Sequence, residues 1–271
     1  MNARQFDHVS ITPSLTCWVK WAHSAPAAIV LFGLLFAADI AVAAPLDTNV
    51  TVRVRAHDAK FVGSHVGEVN IVIEDADTGA WLASGRIAGG TGDTQRLMQT
   101  PATRNMPLAD ADSAAYTATL KLERPTRIRI RATGPLAQPD AVQELSVTAW
   151  VVPGRNIDGD GIVLNLPGLI VTPKPQLAAD GRLPLVADVT LMCGCPITKD
   201  GLWDSDDYEV HALVATGGEP ATEVALKFSG QTNRFAGDLA VTRTGRYDVT
   251  VWAHNARTGN TGAASYSVDV P

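Results

Sequence analysis

The sequence predicts an all-β fold, two antiparallel β-sandwiches in series. Three observations carry that expectation. From Asn49 onward, apolar and polar residues alternate with a period of two in short runs. Gly, Pro and Asp interrupt the runs, and no later stretch follows the helical period. Alternation of this kind marks half-buried antiparallel strands, with one face on a core and the other in water. The chain has 271 residues, of which 46% are hydrophobic, enough for one or two domains with cores of their own. Its net charge is −6 with no basic excess, so nothing provides the electrostatic footprint of a nucleic-acid binder.

The first element expected is an export signal over residues 1–43. Arg4, Lys20 and His23 precede the apolar run 25–38, and the small-x-small triplet Ala41-Val42-Ala43 follows it. Cleavage is expected after Ala43. The run is about 14 residues long and is followed by Asp39, whereas a spanning helix needs ~20 apolar residues. Cys17 lies before the run, so no lipobox is present. The mature chain is expected to be periplasmic or secreted, with no membrane span; retention of the signal as an anchor is the alternative.

The first sandwich is expected over 44–171. Val50, Val52 and Val54 alternate with Thr51, Arg53 and Arg55, and Val69, Ile71 and Ile73 with Asn70, Val72 and Glu74. Tyr116, Ala118, Leu120 and Leu122 form a third series, and Ile128, Ile130 and Ala132 a fourth. The arginine rows Arg53/Arg55 and Arg127/Arg129/Arg131 read as solvent-facing. Leu164, Leu166, Leu169 and Ile170 are expected to close this half. Val72-Ile73-Glu74-Asp75-Ala76-Asp77-Thr78-Gly79-Ala80-Trp81 reads as a strand, an Asp-x-x-Thr-Gly turn and a returning strand. It resembles transthyretin-like and carboxypeptidase-regulatory-like sandwiches, a likeness that implies adhesion or support and not catalysis.

Pro173, Pro175, Gly181 and Pro184 mark a linker over 172–184. A second strand series over 185–271 follows, at 185–191, 208–214, 223–228, 235–241, 247–253 and 264–270. Tyr247 opens the penultimate run in the position of a tyrosine corner, with Val249 and Val251 facing inward and a hairpin loop at 255–262. This closing pattern is similar to bacterial immunoglobulin-like and E-set domains. The resemblance implies architecture and carries no activity.

Loss of the signal removes Cys17 and leaves Cys193 and Cys195 as the only mature cysteines. They sit in Met192-Cys193-Gly194-Cys195-Pro196 at the end of a strand, where side chains two apart point the same way. Three chemistries fit. Two thiolates beside a thioether suit copper(I) or a similar soft metal, with Cys193 and Cys195 as core ligands and Met192 and His211 completing the site; His254 is a further candidate. A thiol-redox pair is the second, although no thioredoxin-like unit surrounds it. A small structural disulfide or buried free thiols shaping a turn is the third.

Other motifs read as structure. The acidic loop Asp200-Gly201-Leu202-Trp203-Asp204-Ser205-Asp206-Asp207 is expected to be a solvated turn, with a hard cation as the alternative. Trp203 is placed over the cysteine pair or in the core. Gly89-Gly90-Thr91-Gly92-Asp93-Thr94 lacks a phosphate-binding lysine and a following helix. Asn156-Ile157-Asp158-Gly159-Asp160-Gly161 lacks the later glutamate of a calcium loop. His57 and His65 are expected to be scattered surface histidines. No hydrolase signature is present. The reading that follows is an exported accessory protein with a soft-metal Cys-x-Cys site. A non-catalytic structural or interaction subunit of an envelope complex, or a thiol-redox protein, are the alternatives. The expected partner is another envelope or secreted protein.

Overall fold

The computed structural model describes residues 44–271, so the expected export signal lies outside the described residues. Seven strands build the first half: β1 (Leu46–Ala56), β2 (Val69–Asp75), β3 (Trp81–Ile87), β4 (Tyr116–Leu122), β5 (Thr126–Gly134), β6 (Gln143–Val151) and β7 (Ile157–Leu166). They form two sheets, ordered β4-β1-β7 and β3-β2-β5-β6. Eight strands build the second half: β8 (Leu169–Pro173), β9 (Arg182–Leu191), β10 (Tyr208–Thr216), β11 (Thr222–Ala225), β12 (Lys227–Phe228), β13 (Arg234–Ala240), β14 (Gly245–Asn255) and β15 (Thr261–Val270). Their sheets are ordered β12-β13-β9-β8 and β11-β10-β14-β15, the immunoglobulin-like arrangement. Both halves belong to one compact unit. The fold is all-β; helical structure among the described residues is limited to turns of three to five residues.

Alternation in the sequence becomes the in-and-out pattern of the sheets. In β2, Val69, Ile71 and Ile73 are buried, and in β5 Ile128, Ile130 and Ala132 are buried beside them. In β14, Tyr247, Val249, Val251 and Ala253 point inward. Each fully buried aliphatic side chain contributes about 1.5–3 kcal/mol of transfer free energy, so these rows hold the sheets face to face. The tyrosine corner is present: Tyr247 is buried and its Oη donates to the Arg243 carbonyl at 3.1 Å.

The structure departs from the expected strand boundaries at three places. Leu169 and Ile170 do not close the first half; they pair with Leu191 and Thr190 in β9. The crossing between the halves occurs at Pro167-Gly168, where Gly168 takes φ 121°, and the expected linker 172–184 contributes its ends to β8 and β9. Proline fits at Pro173 because β8 is an edge strand. The run 223–228 is not one strand. Thr222–Ala225 pairs with β10 in one sheet and Lys227–Phe228 with β13 in the other, with buried Leu226 at the switch.

Arg53 is buried, not solvent-facing. It donates to the Ser113 and Ala114 carbonyls and to the Gly159 carbonyl, and its guanidinium lies 5.7 Å from the Phe61 ring centre. Burial holds its pKa below the ordinary arginine value, opposed by the carboxylates of Asp160 and Asp110. The register of β1 explains its position. β1 pairs antiparallel with β4 and parallel with β7, and the β7 register shifts between Val50 and Val52. Gly161 sits in that irregularity with φ 68°, and a Cβ there would fall 2.3 Å from the Thr51 carbonyl oxygen. The calcium-loop-like segment from Ile157 onward is therefore part of β7. Asp160 accepts from the Leu108 and Ala109 backbone N–H groups, which occupies its carboxylate.

Candidate functional site at the joint between the sandwiches

The Cys-x-Cys motif forms a tight turn directly after β9. Gly194 N donates to the Leu191 carbonyl at 2.7 Å, and Gly194 adopts φ 71°. Cys193 and Cys195 are disulfide-bonded, with their Cα atoms 5.3 Å apart. Met192 and Cys193 are fully buried and Cys195 nearly so. The turn docks on the first half. A Cβ on Gly194 would lie 2.5 Å from His65 Nε2 and 2.7 Å from Val66 Cγ1, so only glycine allows this approach. Met192 lies against Gly168 at the crossing, its Cε 3.4 Å from where a Cβ would sit.

His211, the expected fourth ligand, sits elsewhere. It stacks on Trp252 with ring centres 4.4 Å apart, and its Nδ1 is 3.3 Å from Glu223 Oε1. It lines a cavity of about 270 Å³ with Tyr208, Phe228 and Phe235, to which neither cysteine contributes. His254 Nδ1 lies 3.9 Å from Glu209 Oε2. The imidazole that the fold brings to the cysteine turn is that of His65; His57 pairs with the Asn165 side chain at 2.8 Å. Among the described residues, no three or more His, Cys, Asp or Glu side chains gather as a metal site.

The neighbouring loops resolve into structure. Lys199 sits within the acidic loop, 3.8 Å from both Asp200 and Asp204 and in closer contact with Asp206. The Asp206 carboxylate and the other acids around it hold the Lys199 ammonium above its usual pKa. The Asp206 backbone N–H holds Asp204 below the usual carboxylate range. The glycine-rich loop packs against 112–114: Gly90 N donates to the Asp112 carbonyl, and a Cβ on Gly89 would lie 2.8 Å from Ala114 Cα.

Three contacts then join the halves. Trp203 Nε1 donates to the Asp58 carbonyl at 2.9 Å. Asn260, which is buried, accepts from Gly168 N at 2.9 Å and donates from Nδ2 to the His57 carbonyl at 3.1 Å. Between the halves lies an open cleft of about 360 Å³. Lys60, His65 and Thr94 line one wall, and Cys195, Leu202 and Trp203 the other.

A second feature lies away from the joint, on the outer face of the sheet β3-β2-β5-β6. Trp81 is 70% exposed and Trp150 64% exposed, on its two edge strands. Glu74 pairs with Trp81 and with Arg129, Arg129 with Thr148, and Arg127 with Trp150. The two indoles therefore flank the arginines of β5 across three strand spacings, about 14 Å. Arg127 pairs with Asp77 and Arg131 with Glu74, while Arg129 between them carries no ion pair among the described residues. The sequence shows the arginine row; the two tryptophans come to its flanks only through the strand order.

No family model and no curated protein matches the chain. Among solved structures, it is similar to the chicken interferon gamma receptor alpha chain, at 12% identity and a TM-score of 0.33, over 85% of this chain and 100% of that one.

Proposed function

We propose that the chain is an exported, non-catalytic interaction subunit that docks an acidic protein surface on the outer face of the first sandwich. The observation that carries this reading is the pair of exposed tryptophans flanking Arg127 and Arg129, the latter without an ion pair among the described residues. Tryptophan and arginine dominate the energetic centres of protein interfaces. Exposed indoles on both edge strands, with Trp150 diagonal to a guanidinium that forms no ion pair among the described residues, favour a partner that supplies both apolar contact and a carboxylate. β6 is a nine-residue edge strand whose free side is also open to pairing with a partner strand.

A photo-crosslinking residue in place of Thr148, introduced in the producing cell, tests the reading. The expected result is one predominant adduct whose contact segment is rich in Asp and Glu. It should disappear with Arg129→Glu and persist in Cys193→Ser/Cys195→Ser. Adducts scattered over many proteins, an adduct with a second copy of this chain alone, or indifference to the charge reversal would overturn it.

A soft-metal site is the second reading, and one observation favours it: His65 lies against the turn that carries both cysteines. Reduction of the disulfide would have to come first, giving two thiolates and an imidazole as donors for copper(I). Copper(I) titration of the reduced mature protein is the measurement. Binding as tight in Cys193→Ser/Cys195→Ser as in the wild type removes this reading, and weaker binding in His65→Ala supports it.

A further inference from the structure

We propose that the cleft between the sandwiches binds a small organic carboxylate, a carboxyl group on a compact apolar body. The inference is independent of the docking face. The net charge of the chain is −6, yet no Asp or Glu side chain among the described residues lines this cleft. Its cation is Lys60, whose Nζ donates to Thr94 Oγ1 at 3.0 Å and has no carboxylate in ion-pair range among the described residues. A half-buried ammonium held by a hydroxyl, in a wall free of acids, is set to receive a negative charge from outside the chain.

The opposite wall selects the rest of the ligand. Leu202 is 46% exposed there, and Trp203 is anchored by its bond to Asp58. An inorganic anion leaves this apolar wall unused, and a neutral apolar molecule leaves Lys60 without a counter-charge. A cleft of about 360 Å³ lies at the small end of ligand sites, which run ~300–1,000 Å³, so a compact ligand fits. Its walls come from both halves, which places it where ligand sites commonly form, between packed units.

Benzoate is the probe, with benzyl alcohol as its neutral counterpart and inorganic phosphate as charge without an apolar body. Binding to the mature protein is read by saturation-transfer NMR and calorimetry. Benzoate is expected to bind with a Kd on the order of 1 mM. Benzyl alcohol and phosphate should each bind at least about fivefold more weakly, ~1 kcal/mol. Lys60→Met should weaken benzoate by about the same factor and leave benzyl alcohol unchanged, and Lys60→Arg should restore it. Leu202→Asp, at an exposed position, should abolish benzoate binding without lowering the melting temperature. Absence of benzoate binding at about 20-fold that concentration, equal binding by Lys60→Met, or phosphate binding as tight as benzoate would overturn the proposal.

Discussion

The hairpin turns at 75–80 and 255–260 share their chemistry and differ in their fate. Asp75 Oδ1 accepts from the backbone N–H groups of Asp77 and Thr78; Asn255 Oδ1 accepts from those of Arg257 and Thr258. In both, the threonine hydroxyl accepts from the N–H two residues on, and the following glycine sits near φ 75°. In both, the first residue also exchanges backbone bonds with the closing residue of the turn and with the glycine. At the closing position the two diverge. Ala80 is exposed and leads to exposed Trp81. Asn260 is buried and holds both Gly168 and His57. One local design thus serves once as a free tip beside exposed Trp81 and once as the bolt between the sandwiches.

The largest difference between the two turns lies at the closing residue. Asn260→Ala leaves the partly buried Gly168 N–H and His57 carbonyl without these partners, and should cost about 1–3 kcal/mol in urea unfolding. Ala80→Asn, the reverse exchange at the free turn, should stay within about 0.5 kcal/mol. If both changes are equally mild, Asn260 is no bolt.

The glycines differ less. Gly79→Ala and Gly259→Ala meet open space and left-handed backbone alone, so each should cost about 1–2 kcal/mol and the two should agree. Gly194→Ala combines the same backbone strain with a collision against His65 and Val66. It should cost about 2–4 kcal/mol, and His65→Ala in the same background should recover part of it. Full additivity of those two substitutions would show that the cysteine turn does not rest on His65.

The smallest difference is a proton. The Thr78 and then the Asp77 backbone N–H groups hold the Asp75 carboxyl below the usual carboxylate range. A depressed folded pKa gives stability that is complete above the unfolded value, about 3.9, and is lost as pH falls through the folded one. Asn255 has no such proton. Asp75→Asn should therefore flatten the fall of melting temperature below about pH 4, because the carboxylate's contribution is then missing at neutral pH as well and the two proteins converge at low pH. An unchanged acid limb would mean that other carboxylates carry it; Asp110, held low first by the Ser113 hydroxyl, is the next to test.

Much of the fold is legible in the sequence because a strand announces its buried face every second residue. The rows of β2, β5 and β14 are read correctly on that ground, and so are the corner at Tyr247 and the turn at Asp75, whose bonds are local. Arg53 is misread because the same period marks which residues share a face and not what covers that face. Here the 110–114 segment and Phe61 close over the arginine. The crossing is misplaced because proline content marks irregular chain, and proline is equally at home on the edge strand β8.

The candidate site is legible in part. Met192-Cys193-Gly194-Cys195-Pro196 stands out by residue type, and its turn follows from Gly194. His211 is attached to it on the grounds of an adjacent strand, yet adjacency along the chain does not say which face or end a side chain occupies. The imidazole in contact is that of His65, which comes from the other half of the molecule and meets the turn at Gly194.

By itself the sequence determined the class of fold, most strand faces, the local turns and the close spacing of one cysteine pair. Each of these follows from neighbours along the chain: side-chain period, backbone freedom at glycine, and side chains that cap nearby N–H groups. Only the tertiary structure decided which imidazole meets the cysteine turn, that Asn260 bolts the halves, and that Trp81 and Trp150 flank one arginine row. Those contacts join residues far apart in sequence. Their partners are set by strand order and by the packing of two sandwiches, which no short-range pattern encodes.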